Sequence, residues 1–310
     1  MKKFLARFII FLCIIIIFLA GIYFLSPGTV IALSTRSARW KAGVEVKTVA
    51  VGDHTWPYLT GGKGYPVLML HGFGMHKDFW GELTPALTKQ YRVVIPDLPG
   101  FGENSRIKTA VYDLPQQAKR VREFVKKIGL EKFYLIGFSM GGGIAAYYAG
   151  EYPDSVKGLV LIDALGIDTP GESDFEKLYK AGEKPLLVKN VEQFNRVMAI
   201  GYLEPPKVPG HIKKYLAAMG AKDYDFHEKI FDDLGKGGAN VLENRLGKIQ
   251  ARTLILWGDK DRIFDAATAS AFKHGIRDSR MVIVKGSGHM VYIEKPDEAV
   301  KAVIDFFAGF

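Results

Sequence analysis

The 310-residue sequence predicts an α/β fold in which helices cover a mostly parallel β-sheet. Short apolar runs rich in β-branched residues alternate with amphipathic segments along most of the chain. The runs are continuously apolar, which is typical of parallel strands buried on both faces. Hydrophobic residues make up 48% of the chain and charged residues 24%, as in globular proteins and unlike disordered ones.

The first predicted element is a membrane helix. An uncharged run of 18 residues, FIIFLCIIIIFLAGIYFL, occupies positions 8–25 and follows Lys2, Lys3 and Arg7. At about 1.5 Å per residue, this run just reaches across the hydrocarbon core of a bilayer. We therefore predict an uncleaved N-terminal transmembrane anchor over residues 1–27. The rivals are a cleaved signal peptide, whose apolar region is usually shorter and ends in small residues, and a buried soluble helix.

Charge and cysteine content limit the partners and the chemistry. The short basic tail favours a cytoplasmic N-terminus, which predicts a single-pass protein with its remainder outside the cytoplasm, on the periplasmic side in a bacterium. The chain has a net charge of +9 but contains no tract of five basic residues, so we expect no nucleic-acid partner. The positive charge either favours binding to an anionic lipid surface or belongs to a solvated protein surface that has no electrostatic role. Cys13 is the only cysteine, which excludes disulfides within the chain and cysteine-based metal sites.

The predicted core consists of strands and covering helices. Two segments have apolar residues at helical spacing, one around Val121 to Ile128 and one around Val300 to Phe307. Six apolar runs have the length and composition of strands: residues 67–70, 93–95, 133–136, 159–162, 254–257 and 281–284.

Residues 167–248 interrupt this alternation. The segment contains no comparable strand run, and it mixes Lys, Glu, Gly and Pro with bulky apolar residues such as Leu186, Leu187 and Tyr202. A structureless loop of this length is unusual in a compact domain. We therefore predict a helical insertion between two core segments, 28–166 and 249–310. Its apolar residues either line a binding pocket or form the insertion's own core.

The strongest local motif follows the third predicted strand and precedes an alanine-rich segment. It reads Gly137-Phe138-Ser139-Met140-Gly141, a G-x-S-x-G pattern between a strand and a helix. Such an elbow holds a nucleophilic serine in a tight, strained turn that has no room for side chains at the two glycines. A glycine-rich turn or phosphate loop is the alternative, but the spacing matches neither phosphate-binding pattern. We predict Ser139 as the nucleophile.

A serine nucleophile requires a base and an orienting acid. His289 follows the last predicted strand in the loop Gly286-Ser287-Gly288, and we predict it as the base. Asp261, after the preceding strand, is the predicted acid. Asp259 is its main rival, and Asp163 is a more distant candidate. The chain order serine, aspartate, histidine is that of serine hydrolases with a nucleophile elbow.

Acyl transfer by a serine nucleophile also requires hydrogen-bond donors for the tetrahedral oxyanion. We predict the backbone amides of Phe73, in the loop after the first run, and of Met140, next to the nucleophile. His71 opens the same loop and is predicted to be structural, and residues 97–102 are interpreted only as a turn. The remaining histidines are predicted to be solvated: His54, His76, His211, His227 and His274. This chemistry calls for no metal and no cofactor.

Several motifs together resemble the α/β-hydrolase superfamily across residues 45–310. They are residues 71–74, 97–102, 137–142, 257–261 and 288–289. The anchor and residues 76–80, 208–209 and 261–269 resemble, more narrowly, the membrane-anchored monoacylglycerol lipase of the α/β-hydrolase-domain group and the bacterial family V lipases. This resemblance implies the α/β-hydrolase fold and a carboxylic ester hydrolase acting on acylglycerols or similar acyl esters. It also implies a cap over the acyl pocket, and no obligate protein partner is evident.

Two other functions remain open. Carbon-carbon bond hydrolases and cofactor-free perhydrolases share the Ser-Met-Gly-Gly elbow, although Met290-Val291-Tyr292 follows the histidine where the former usually have a tryptophan. A non-catalytic binding protein on this fold would usually have lost a member of the triad, whereas Ser139 and its two predicted partners are all present.

Overall fold

The structure, a computed structural model, describes residues 2–168, 172–237 and 240–310. Near the N-terminus it describes the side chains of residues 4, 5, 7–14 and 21 onwards. The chain begins with helix α1 (Lys2–Leu25) and helix α2 (Pro27–Ala42). Pro27 fits the first turn of α2 because its fixed φ suits a helix start. Gly43 ends α2 in the left-handed conformation with φ 63°.

The described side chains of α1 are mostly apolar and exposed, Phe8, Phe11 and Leu25 among them. No helix among the described residues combines the length and apolarity needed to span a bilayer. The predicted membrane run at 8–25 includes side chains 15–20, which lie outside the described part of the chain.

Eight strands lie among the described residues: β1 (Val44–Val51), β2 (His54–Gly61), β3 (Pro66–Leu70), β4 (Arg92–Pro96), β5 (Phe133–Phe138), β6 (Val156–Ile162), β7 (Thr253–Gly258) and β8 (Ser279–Val284). They form one sheet in the order β1-β2-β4-β3-β5-β6-β7-β8. β1 pairs antiparallel with β2 and β2 pairs antiparallel with β4, whereas the remaining pairs are parallel. All six predicted runs lie within β3 to β8, and the sequence pattern missed the hairpin of β1 and β2.

Helices cover both faces of this sheet. Leu68 on one face of β3 belongs to a core cluster with the helical residue Phe124, and Val67 on the other face belongs to a cluster with the helical residue Val303. This confirms the prediction of a doubly covered, mostly parallel sheet. The helices after α2 are α3 (Leu83–Leu87), α4 (Leu114–Lys127), α5 (Met140–Glu151), α6 (Asp174–Lys180), α7 (Val191–Gly201), α8 (Gly210–Lys236), α9 (Ala266–Gly275), α10 (Val291–Glu294) and α11 (Pro296–Ala308).

Helices α6, α7 and α8 occupy the segment 167–248, and its described residues contain no strand. Local capping explains where two of them begin. Ser173 and Glu176 form a reciprocal capping box at α6, and the Asn190 side chain accepts from the Gln193 amide at α7. Positions 169–171 and 238–239 of the predicted insertion lie outside the described residues. The division of the chain into core and cap stays a prediction.

Candidate active site

Ser139 lies at the sharp turn from β5 into α5. Its φ of 53° and ψ of −121° place it in a region that side chains rarely adopt. A Cβ atom on Gly137 would overlap the Gly141 carbonyl oxygen, and one on Gly141 would overlap the carbonyl oxygens of Leu70 and His71. The two glycines are therefore required by close backbone contact.

Backbone hydrogen bonds hold this turn rigidly. The Ser139 amide donates to the Ile162 carbonyl at 2.9 Å, and the Ser139 carbonyl accepts from the amides of Gly143 and Leu165 at 3.1 and 3.0 Å. The Met140 amide belongs to the first turn of α5, where amides have no helical acceptor and the helix dipole is positive. A developing negative charge next to Ser139 would therefore be stabilised.

His289 and Asp261 form a buried pair beside the turn, where the His289 ring lies 4.9 Å from the ring of Phe138, the residue before Ser139. The distance from His289 Nδ1 to Asp261 Oδ2 is 2.8 Å. Asp261 Oδ1 accepts from the amides of Ile263 and Phe264 at 2.7 and 3.1 Å, which fixes the orientation of the carboxylate. With Nδ1–H donating to Asp261, the neutral imidazole keeps an unprotonated Nε2 that can act as a base.

The two rival aspartates have different positions. Asp259 Oδ1 accepts from the amides of Gly286 and Ser287 at 2.7 and 3.3 Å, so it supports the loop that carries His289. Asp163 is fully buried, and atoms of Asp163, Asp261 and His289 lie within 4.8 Å of one another. The structure thus brings Asp261 to the predicted base and Asp163 next to that pair.

These three groups are also close enough to share a metal ion. Both oxygens of Asp261 already have hydrogen-bond partners, as described above, and His289 Nδ1 is used in the same interaction. A metal would have to break these bonds. The donor set therefore fits a proton-transfer pair better than a metal site.

The predicted oxyanion loop packs against the elbow. A Cβ atom on Gly72 would come within 3.2 Å of the Ser139 Cβ and 3.0 Å of the Phe138 ring, so the loop backbone passes directly beside the nucleophile candidate. Phe73, Ser139 and Met140 line the same cavity. The assignment of the two amides as oxyanion donors stays a prediction.

His71 connects this loop to the turn after β4. Its Nδ1–H donates to the Gly72 carbonyl at 2.8 Å, and its Nε2 accepts from the Leu98 amide at 3.0 Å. Burial lowers the pKa of His71 to about 4, so the ring is neutral near pH 7. These contacts fit the structural role predicted for His71.

The turn at residues 97–102 has a larger part than the sequence indicated. The buried Asp97 carboxylate accepts from the Lys77 backbone amide at 2.7 Å and from Lys77 Nζ at 2.9 Å. It also accepts from the Glu103 amide at 2.9 Å, and Gly102 lies so close that a Cβ atom would overlap the carboxylate. This ion pair ties the turn to the chain just after the oxyanion loop. In the sequence, this ion pair was indicated only by two residues of opposite charge that lie 20 positions apart.

A cavity of about 420 Å³ opens beside Ser139. Its walls include Phe175, Leu186, Phe231 and Leu234, all from the predicted cap segment. Charged side chains lie among the remaining lining residues: Asp168, Glu176 and Lys180. The apolar walls suit an acyl chain, and the charged groups suit a more polar end of the same ligand.

Three histidines that were predicted to be solvated are instead packed. His54 is buried, with its Nδ1 2.6 Å from Asp53. His211 packs against aromatic rings near the end of α1, and His227 packs against the Phe73 ring with a centroid distance of 5.8 Å. Burial lowers the pKa of His227 to about 4. For His211 and His227 the prediction was wrong because it ignored which face of α8 is turned inward, and for His54 because the strand β2, which it begins, was not predicted.

Comparison with known proteins agrees with this fold and site. Residues 65–190 and 222–296 match the family model for the alpha/beta hydrolase fold. The chain belongs to the α/β-hydrolase family, as the sequence motifs had indicated.

Similar proteins cover nearly the whole chain. Monoacylglycerol lipase abhd6-B of Xenopus laevis is 31% identical over 300 residues, which are 93% of this chain and 89% of that protein. Lipase 1 of Psychrobacter immobilis is 32% identical over 265 residues, covering 84% and 83%. The crystal structure of a membrane phospholipase A, titled a novel bacterial virulence factor, superposes with a TM-score of 0.89 at 35% identity and covers 100% and 99%.

Proposed function

We propose that this protein is a serine carboxylic ester hydrolase of the lipase and esterase type, acting on monoacylglycerols or similar acyl esters. The observation that carries the proposal is the buried 2.8 Å pair of His289 and Asp261 beside the strained Ser139, at one end of an apolar cavity. The similar monoacylglycerol lipase and bacterial lipase support the same substrate class.

In the first half-reaction, His289 Nε2 takes the proton of Ser139 Oγ, and Oγ attacks the ester carbonyl. The tetrahedral oxyanion is bound by the amides of Phe73 and Met140, where preorganised donors are worth about 2.7 to 4 kcal/mol each. Asp261 holds the ring tautomer and stabilises the imidazolium. Collapse expels the alcohol, which receives the proton from His289, and leaves an acyl group on Ser139.

In the second half-reaction, water replaces the alcohol. His289 removes a proton from the water, which attacks the acyl carbonyl through the same oxyanion site. The breaking bond is that between the carbonyl carbon and Ser139 Oγ, and His289 returns the proton to Oγ. The products are a carboxylic acid and the free enzyme.

The helices between residues 167 and 248 are proposed to form the cap over the acyl pocket. Phe231 and Leu234 of α8 and Phe175 of α6 supply apolar wall, so the acyl chain lies beneath these helices. The apolar residues named in the predicted cap have two kinds of surroundings. Leu186 lines the cavity, whereas Leu187 and Tyr202 are buried in the protein interior.

The N-terminal helices are proposed to attach the enzyme to membrane lipid. Apolar side chains of α1 are exposed, and at the end of α2 the Trp40 side chain is 81% exposed beside Lys41. Tryptophan and basic residues are typical of the membrane interface, where a cation adds about 1 kcal/mol on an anionic surface. We further propose a single-pass anchor with the catalytic part outside the cytoplasm.

Fractionation of cells and protease protection test the attachment. The full chain is expected in the membrane fraction and accessible to protease added from outside the cytoplasmic membrane. Recovery in the soluble fraction would refute attachment, and a catalytic part shielded in spheroplasts would refute the orientation.

Hydrolysis assays test the activity. Purified protein is expected to release p-nitrophenol from p-nitrophenyl esters and to hydrolyse monoacylglycerols, and folded Ser139→Ala is expected to be inactive. Ester hydrolysis by this variant would refute the mechanism in which Ser139 is the nucleophile. Faster turnover of a ring-cleavage diketone, or of a peracid-forming reaction, than of esters would favour the two alternative activities of this fold.

A further inference from the structure

Asp163 is a buried carboxyl group that the mechanism above does not use. It follows β6 with φ 44°, and its amide donates to the Leu256 carbonyl at 3.1 Å. Its Oδ1 accepts from the Gly258 amide at 3.0 Å. Two residues later, the Leu165 amide bonds to the Ser139 carbonyl, so the segment that carries Asp163 also supports the nucleophile elbow.

Acidic groups surround Asp163. In the described part of the chain, no Lys or Arg side chain is a main electrostatic partner of this carboxyl group. The groups that face it are the Asp261 carboxylate and His289 on the following loops, and Glu294 and Tyr292 on α10. Among the described residues, no donor reaches Asp163 Oδ2. An ionised Asp163 would therefore be a buried, uncompensated charge next to a second carboxylate, which is strongly unfavourable.

The hydrogen bonds of the two carboxyl groups decide which one holds a proton. Asp261 accepts two amides and the His289 ring, and these donors stabilise its charge. Asp163, by contrast, accepts from the Gly258 amide alone among the groups that the structure describes. Burial, followed by the charge of Asp261, raises the pKa of Asp163 well above its usual value. These surroundings favour the proton on Asp163, and a protonated Oδ2 needs no donor because it donates its own O–H.

We propose that Asp163 is a positioning residue: as a neutral carboxylic acid it donates a hydrogen bond to the Asp261 carboxylate and holds it against His289. This rests on the proposed function, in which Asp261 orients the base. With this hydrogen bond, Asp261 remains charged but is less basic. The imidazolium of His289 therefore forms during turnover, but Asp261 does not overstabilise it in the resting enzyme.

Two variants separate this role from a charged one. Asp163→Asn keeps an acceptor, a donor and tolerance of positive φ, and it is neutral. Asp163→Ala removes both hydrogen bonds. The pKa of His289 is measured by NMR titration of its ring protons, which requires no turnover, and kcat, KM and thermal stability are measured alongside.

We expect Asp163→Asn to keep the wild-type pKa of His289 and kcat within about threefold. Asp163→Ala is expected to raise the pKa of His289, because Asp261 loses a donor and becomes more basic. Its kcat is expected to fall roughly tenfold with little change in KM, which is the loss expected for one hydrogen bond to a charged group.

An ionised Asp163 predicts the opposite sign, since either variant would remove a negative charge and lower the pKa of His289. That result would overturn the proposal, as would an unchanged pKa and kcat in both variants. If Asp163→Ala does not fold, Asp163→Asn still decides, because only a charged Asp163 predicts a downward shift. If wild-type protein hydrolyses no ester, the proposed function fails while the NMR titration still tests the proton on Asp163.

Discussion

Arg39 of α2 and Asp78, just after the oxyanion loop, form a bidentate ion pair. The Nε–Oδ1 distance is 2.6 Å and the second nitrogen lies 2.7 Å from Oδ2. Lys77, the preceding residue, is bound to Asp97. One ion pair therefore joins α2 to the segment after the oxyanion loop, and the neighbouring Lys77 joins that segment to the turn after β4.

Arg39→Ala is expected to lower the free energy of unfolding at pH 7 by about 1 to 2 kcal/mol, because the fork of two charge-assisted hydrogen bonds is lost. Burial opposes ionisation of Asp78, but the bonds from Arg39 outweigh it and hold the pKa of Asp78 below its usual range. The stabilisation is therefore fully present above the unfolded pKa near 4 and is lost progressively as pH falls from there through the lowered pKa of the folded state. Denaturation at pH 7 and pH 3 checks this. A difference between wild type and variant that grows toward pH 3 would contradict it.

The choice of acid predicts a ranking of variants. Asp261→Asn is expected to reduce kcat by about 10³- to 10⁴-fold, because His289 loses the partner that fixes its tautomer. Asp259→Asn is expected to cost far less, since its carboxylate only supports the loop at Gly286 and Ser287. Steady-state kinetics on one p-nitrophenyl ester measure both. The reverse ranking would overturn the assignment.

The elbow predicts a steric effect at Gly141. Gly141→Ala is expected to destabilise the protein by about 3 kcal/mol or more and to abolish ester hydrolysis, because the methyl group would overlap the Leu70 carbonyl oxygen. Gly210→Ala, at the start of α8, is the matched control, since a Cβ atom there would meet no heavy atom within 4 Å apart from its chain neighbours and the backbone of its own helix. Denaturation curves should separate the two. Equal stability of both variants would show that the close contact is absent.

The cavity predicts control of acyl length. Leu234→Trp is expected to reduce hydrolysis of long-chain esters about tenfold or more while acetate ester hydrolysis changes little, because the larger ring occupies the cavity beside Ser139. Met219→Trp, on an exposed part of the same helix, is the control and should leave the profile unchanged. A series of p-nitrophenyl esters from acetate to palmitate measures the effect. A uniform loss across the series in Leu234→Trp would argue against an acyl pocket.

Much of the core could be predicted from local patterns. The six runs of β3 to β8 were visible because strands buried on both faces are continuously apolar, and no distant residue is needed to recognise them. β1 was missed because Val46 and most of its other residues remain exposed, which removes the apolar signal. β2 is largely buried, but its sequence HTWPYLTG interleaves polar residues and a proline with the apolar ones, so it forms no continuous apolar run. The insertion was recognised by its lack of strands, whereas its individual helix boundaries depend on caps such as Ser173.

By itself, the sequence determined the family, the elbow around Ser139 and the identity of the three candidate aspartates, because each is a motif of neighbouring residues. Only the tertiary structure decided that Asp261 contacts His289, that Asp259 supports a loop, and that Asp163 is buried against the pair. These positions depend on contacts between strand ends distant in the chain. Burial and the neighbouring charges, which determine where a proton resides, arise only when those ends meet.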